Sequence, residues 1–262
     1  MLLWFLLLAA QQAPAQASAR AVHELGVAEF QAGRLDQAAV YFRKATELDP
    51  KLAAAWKALG VVHAARGEND QARAPFEMAC ALEPTEPDAC YYRARNLYLL
   101  NRFEDSCAGY MVLLGQEGPT SRIRNGLGLA LEALGRTQDA EREYRAAAAL
   151  RPSGHVNEHP LINLGVLFSR QGRTPEAVST LREAITRVPS SSRAHFELGR
   201  ALQETGRRVE AAVELEKAIA IEPAHWAAHV LLGKVYLRMG REGEGREHLR
   251  TGERGLSGAR EQ

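Results

Sequence analysis

Tyr91, Tyr92, Arg95 and Tyr98 fall within eight residues, and 91, 95 and 98 share one side of a helix. Tyrosines and arginines gathered on one helical face are the residue types that anchor protein interfaces. The competing reading is that the rings only pad against neighbouring helices. Two His-x-x-x-His pairs, His155 with His159 and His225 with His229, place two imidazoles on one helical face, a spacing that can hold zinc. The first pair falls at a loop and neither has a third ligand nearby in sequence, so no metal site is expected. Of three cysteines, Cys80 and Cys90 flank one turn between helices and could pair in an oxidising compartment. Cys107 falls in a slot read as half-exposed, and no histidine is placed to activate a thiol. The chain has no Gly-x-Gly-x-x-Gly, no phosphate-cradling Gly-x-x-x-x-Gly-Lys-Ser/Thr and no Gly-x-Ser-x-Gly. With no nucleophile, base and oxyanion donor together, neither an enzyme nor a cofactor is expected.

The elements that carry these residues repeat. Gly26, Gly60, Gly128, Gly165, Gly199 and Gly233 each follow a leucine inside an apolar helical pattern, at separations of 34, 68, 37, 34 and 34. The gap of 68 hides a copy in which Ala94 replaces the glycine, and the gap of 37 holds a three-residue insertion near 153–157. Seven residues after each small residue comes a break: Gly33, Gly67, Asn101, Gly135, Gly172, Gly206, Gly240. Five residues later comes a small residue (Ala38 in the first copy, Ala72 in the second), and four later a bulky one (Phe42, Phe76, Tyr110, Tyr144, Leu181, Leu215, Leu249). Pro50, Pro84, Pro152, Pro189 and Pro223 close the units in phase. Small residues facing each other let two antiparallel helices approach, a bulky residue fills the space beyond, and proline stops the second helix. Pro175 falls in a tolerated first turn, whereas Pro75 lies deeper in its helix and should weaken or bend it.

This series resembles the tetratricopeptide repeat family over Ala19 to about Leu256. The resemblance implies an all-α, right-handed α-solenoid superhelix of about seven antiparallel helix-turn-helix units. Their bounds are about 19–52, 53–86, 87–120, 121–157, 158–191, 192–225 and 226–259, the last imperfect, with Gly245 and Gly252 where helix formers are expected. It also implies that the first helix of each unit lines a concave groove binding a protein or peptide. On that face fall Tyr91, Tyr92, Arg95 and Tyr98, then Arg122 and Asn125, then Ile162, Asn163, Val166 and Arg170. Arg193, Phe196, Glu197 and Arg200 follow, and Lys234 lies on the last unit. The later half is polar with a modest basic excess, which suits a solvated face or an acidic peptide. The Lys-Asn-Asn-Lys-Arg set of chaperone-binding members is broken: Val61 stands at the first Asn slot and Glu197 where a cation is needed.

A formal charge of +1 over 262 residues provides no bulk field for nucleic acid or an anionic membrane. Met1–Ala10 is almost wholly apolar, too short to span a bilayer but suited to a secretory signal within residues 1–17, with 18–262 the repeat array. No Lys or Arg precedes that run, so only the amino terminus is positive. The expected location is a bacterial periplasm or the cell exterior, or the cytoplasm if the run is not a signal. The expected function is a non-catalytic, monomeric binding scaffold. The alternatives are a self-associating structural array and an accessory subunit of an exported enzyme or assembly complex.

Overall fold

The computed structural model describes residues 18–84, 87–150 and 159–258. The apolar start of the chain, the insertion near 153–157 and His155 lie outside these residues. Among the described residues there are fourteen helices and no strand. They run α1 (18–31), α2 (Leu35–Leu48), α3 (Ala53–Ala65), α4 (Asn69–Leu82), α5 (Pro87–Leu99), α6 (Phe103–Glu117) and α7 (Ser121–Ala133). Then come α8 (Thr137–Ala149), α9 (His159–Arg170), α10 (Thr174–Arg187), α11 (Ser192–Glu204), α12 (Arg208–Ile221), α13 (Trp226–Arg238) and α14 (Glu242–Gly258). Consecutive pairs make seven helical hairpins, one per sequence repeat. They fall into two compact units: one holds α1–α6, the other α7–α14 but for the turn at 133–135.

The hairpin turn follows from one backbone conformation. Gly67 (φ +76°) and Asn101 (φ +58°) adopt the left-handed region, and the other five break residues are glycines that do the same. With the chain so turned, the Glu68 amide donates to the His63 carbonyl and Gly67 to Ala64, satisfying carbonyls that the end of α3 leaves open. The residue after the break is arginine in every hairpin but the second. Arg102, Arg136, Arg173, Arg207 and Arg241 each bond an acid three residues on, in the first turn of the next helix. There the helix dipole favours the negative charge. The arginine and the dipole thus both favour the ionised carboxylate, and Arg173 and Arg207 hold Glu176 and Glu210 below the usual carboxylate range.

Packing within each hairpin differs in one respect from the sequence expectation. The first-helix glycine faces the bulky residue itself: a Cβ on Gly60 would lie 2.6 Å from the Phe76 ring, and one on Gly199 2.7 Å from Leu215. Glycine stands there because a ring or a branched side chain occupies the space that a side chain of its own would need. The third hairpin reverses the roles, and the Ala94 methyl meets Gly109, the residue before Tyr110, at 3.0 Å from its ideal Cβ. In the first unit Ala38, Ala39, Phe42, Leu59 and Val62 form a buried cluster. In the second, Leu215, Ala218, Leu232, Val235 and Tyr236 belong to another.

Several local expectations are corrected. Cys107 is buried at 6 %, not half-exposed, while Cys80 and Cys90 form a disulfide joining the end of α4 to the first turn of α5. Pro75 is buried within a single unbroken α4, and Pro175 sits in the first turn of α10 as expected. The glycines of α14 are where it meets α13: ideal Cβ atoms on Gly245, Gly252 and Gly255 would lie 2.9, 2.6 and 2.1 Å from Leu237, Val230 and Trp226. They seat the helix rather than fray it. Among the described residues no helix is long and apolar enough to cross a membrane.

Candidate functional site

In the first unit, the first helices of three successive hairpins line one cleft of about 360 Å³. His23, Val27 and Phe30 come from α1, Ala54, Lys57, Ala58 and Val61 from α3, and Asp88 and Tyr92 from α5, with Phe42 behind. The spacings explain the alignment, because residues three, four and seven apart stack along one side of a helix. The floor is apolar, and Lys57 and Asp88 face each other at 3.9 Å across α3 and α5. Burial pushes the His23 imidazole below its ordinary value against the pull of Glu24, so its neutral form is favoured.

Of the tyrosine group, Tyr92 alone lines this cleft, its ring stacked on Phe76 of α4 with centroids 5.5 Å apart. Tyr91 lies edge-on to Tyr92 at 5.8 Å and against Tyr110 of α6 at 5.7 Å. Tyr98 meets Phe103 at 5.5 Å, and Arg95 is exposed. Each ring therefore also packs against another helix or ring. Sequence reasoning passed over His23, Val27 and Phe30. Their regular spacing on α1 could have found them had the first unit been read slot by slot.

In the second unit the first helices carry a polar ladder. Arg193 Nη2 donates to Asn163 Oδ1 at 3.0 Å, and Asn163 Nδ2 donates to Asn125 Oδ1 at 2.9 Å, linking α11, α9 and α7. Arg170 donates to Glu132 at 2.6 Å, and Glu132 also accepts from the Tyr144 hydroxyl at 2.8 Å. Glu197, with 11 % of its side chain exposed, is 2.7 Å from Arg200. Burial pushes its carboxyl up, while Arg200, Arg193, Arg170 and His225 pull it back. Arg122 and Lys234 are exposed. Two residues placed on the open face by their spacing are instead buried, Ile162 at 0 % and Asn163 at 6 %, because α9 is flanked by α8, α10 and α11. Replacing Asn163 with alanine removes both rungs of the ladder. The expected cost is about 1–2 kcal/mol in urea unfolding, against no measurable change for Lys234→Ala.

The two histidines of the second unit direct their Nδ1 atoms at different partners. His225 Nδ1 accepts from the Ala228 amide, whereas His229 Nδ1 faces His248. Among the described residues no group of three metal-ligating side chains occurs.

Tetratricopeptide repeat profiles match residues 6–53, 23–89 and 162–222, a second profile matches 119–190, and a third matches 202–254. The chain belongs to the tetratricopeptide repeat family. Structures similar to this tetratricopeptide repeat protein share its fold at low identity. A tetratricopeptide repeat protein from Parabacteroides merdae superposes with a TM-score of 0.71 at 17 % identity, covering 90 % of this chain and 93 % of that one. The Pseudomonas aeruginosa pilF structure gives 0.63 at 21 %, covering 81 % and 94 %. A chain of the APC/C hetero-tetramer Cut9–Hcn1 gives 0.69 at 18 %, covering 83 % of this chain, which spans only 42 % of that one. No curated protein matches the sequence. Tetratricopeptide repeat proteins are generally scaffolds that bind protein or peptide partners, and the repeats of this chain support that general role.

Proposed function

We propose that this protein binds a peptide segment of a partner on the first-helix face of each unit, without catalysing a reaction. One observation carries the reading: helices α1, α3 and α5, from three separate hairpins, contribute to a single apolar-floored cleft with a charged rim. A preformed cleft of this kind binds by burying an apolar side chain, while the rim selects its neighbours. Tyr92 supplies an aromatic wall, and Tyr91, Arg95 and Tyr98 on the same helix extend the contact surface. In the second unit Asn125 and Arg193 offer polar groups held in place by bonds to the buried Asn163, and Arg122, Arg170, Arg200 and Lys234 supply positive charge around them. Because the ladder is already bonded, little side-chain freedom is lost on contact.

The Cys80–Cys90 disulfide supports an oxidising compartment, as does the apolar run Met1–Ala10 read as part of a secretory signal over residues 1–17. We therefore place the protein in a bacterial periplasm or outside the cell. The exposed face of α14 carries Arg246, Glu247, Arg250, Glu253 and Arg254, a charged surface that disfavours end-to-end stacking and supports a monomer. Cross-linking in the native host tests the cleft. Val61→p-benzoylphenylalanine should yield a discrete adduct under illumination, while Val40→p-benzoylphenylalanine, on an exposed position of α2, should not. Equal adducts at both positions, or none at Val61, would remove the cleft as the binding surface.

A further inference from the structure

His195 and His229 occupy the same place in successive hairpins, four residues before Gly199 and Gly233. Each directs Nε2 at a proline carbonyl, His195 at Pro189 (3.1 Å) and His229 at Pro223 (3.2 Å). A carbonyl only accepts, so Nε2 carries a proton in both rings and Nδ1 of the neutral ring is left as an acceptor. The Nδ1 partners differ. His195 Nδ1 faces Glu214 at 2.6 Å, whereas His229 Nδ1 faces Nδ1 of His248 at 3.0 Å. Glu214 and His248 are equivalent, one residue before Leu215 and Leu249.

The exchange of carboxylate for imidazole alters what acid does. A protonated His195 gains a second N–H that points at Glu214. Between His229 and His248 a single proton on one Nδ1 makes a good hydrogen bond, but a proton on both Nδ1 atoms sets N–H against N–H, with His229, already protonated at Nε2, a cation. We propose that the α13–α14 contact is an acid-sensitive joint, in which the His229–His248 pair holds one shared Nδ1 proton and releases α14 when a second is added.

The surroundings are mixed. Glu244 and Glu247 of α14 and Glu216 of α12 favour a charged His248, but burial and the His229 ring oppose it and hold His248 below the ordinary imidazole value. Tyr236 of α13 lies 5.7 Å from His248, donates its hydroxyl to Glu216, and has Arg241 over its ring. A pKa lower in the folded than in the unfolded chain means the contribution is intact above the ordinary imidazole value of about 6.5 and is lost as pH falls below it.

Hydrogen exchange on the full-length chain at pH 7.5 and 5.5, corrected for the intrinsic rate, tests the joint. Protection of α14 amides should fall about tenfold more than that of α11 and α12 on acidification. His248→Glu rebuilds the preceding hairpin's arrangement and should abolish the difference. Equal acid response in α14 and α11–α12, or an unaltered response in His248→Glu, would overturn the proposal. So would ¹⁵N imidazole spectra of the wild type at pH 7.5 showing both Nδ1 atoms protonated.

Discussion

Replacing Phe76 with alanine is expected to cost about 3–5 kcal/mol in urea unfolding followed by far-ultraviolet circular dichroism. The ring is 2 % exposed, fills the space that the missing side chain of Gly60 leaves open, and supports the stacked face of Tyr92. Truncation therefore removes contacts within one hairpin and between that hairpin and the next. Because Tyr92 lines the cleft, the variant should also lose the Val61 cross-link under conditions in which it remains folded. Val40→Ala, at a residue 62 % exposed on α2, should stay within about 0.5 kcal/mol of wild type. A Phe76→Ala chain no weaker than Val40→Ala would contradict the packing described for the second hairpin.

The Cys80→Ala, Cys90→Ala double variant should lose about 2–3 kcal/mol, the chain-entropy effect of opening a loop of about ten residues. The bond ties the last turn of α4 to the first turn of α5, immediately before Tyr91 and Tyr92. Thermal melts with and without dithiothreitol separate this effect from simple loss of side-chain volume. The wild type should melt lower under reduction, and the double variant should be indifferent to it. A wild-type melt that ignores reductant would mean the bridge contributes nothing to stability.

The hairpins could be read in the sequence because their turns depend on one residue each. The positions marked as breaks from Gly33 to Gly240 all adopt the left-handed backbone, including the one asparagine at 101. The site was less legible for reasons tied to particular side chains. Helical spacing gives the direction in which Ile162 and Asn163 point, but not that α11 closes over them. Tyr91 and Tyr98 share a helix with Tyr92, yet their rings turn toward Tyr110 and Phe103, rings from the next helix. Gly245 and Gly252 looked unsuited to a helix because propensity counts only the cost of glycine. The close approach to Val230 and Leu237 that they permit is a tertiary gain. The arginine after five of the seven turns, with its acid three residues on, is regular enough to have been found by inspection.

Among the described residues, the side-chain hydrogen bonds that join one helix to another span at most 39 positions, the distance from Ala148 to Arg187. Nothing near the carboxy terminus needs to arrive before the early helices can settle. Within each unit a nascent chain can therefore consolidate in order of synthesis, a hairpin docking on its predecessor as it leaves the ribosome, and the search for native contacts stays short and fast.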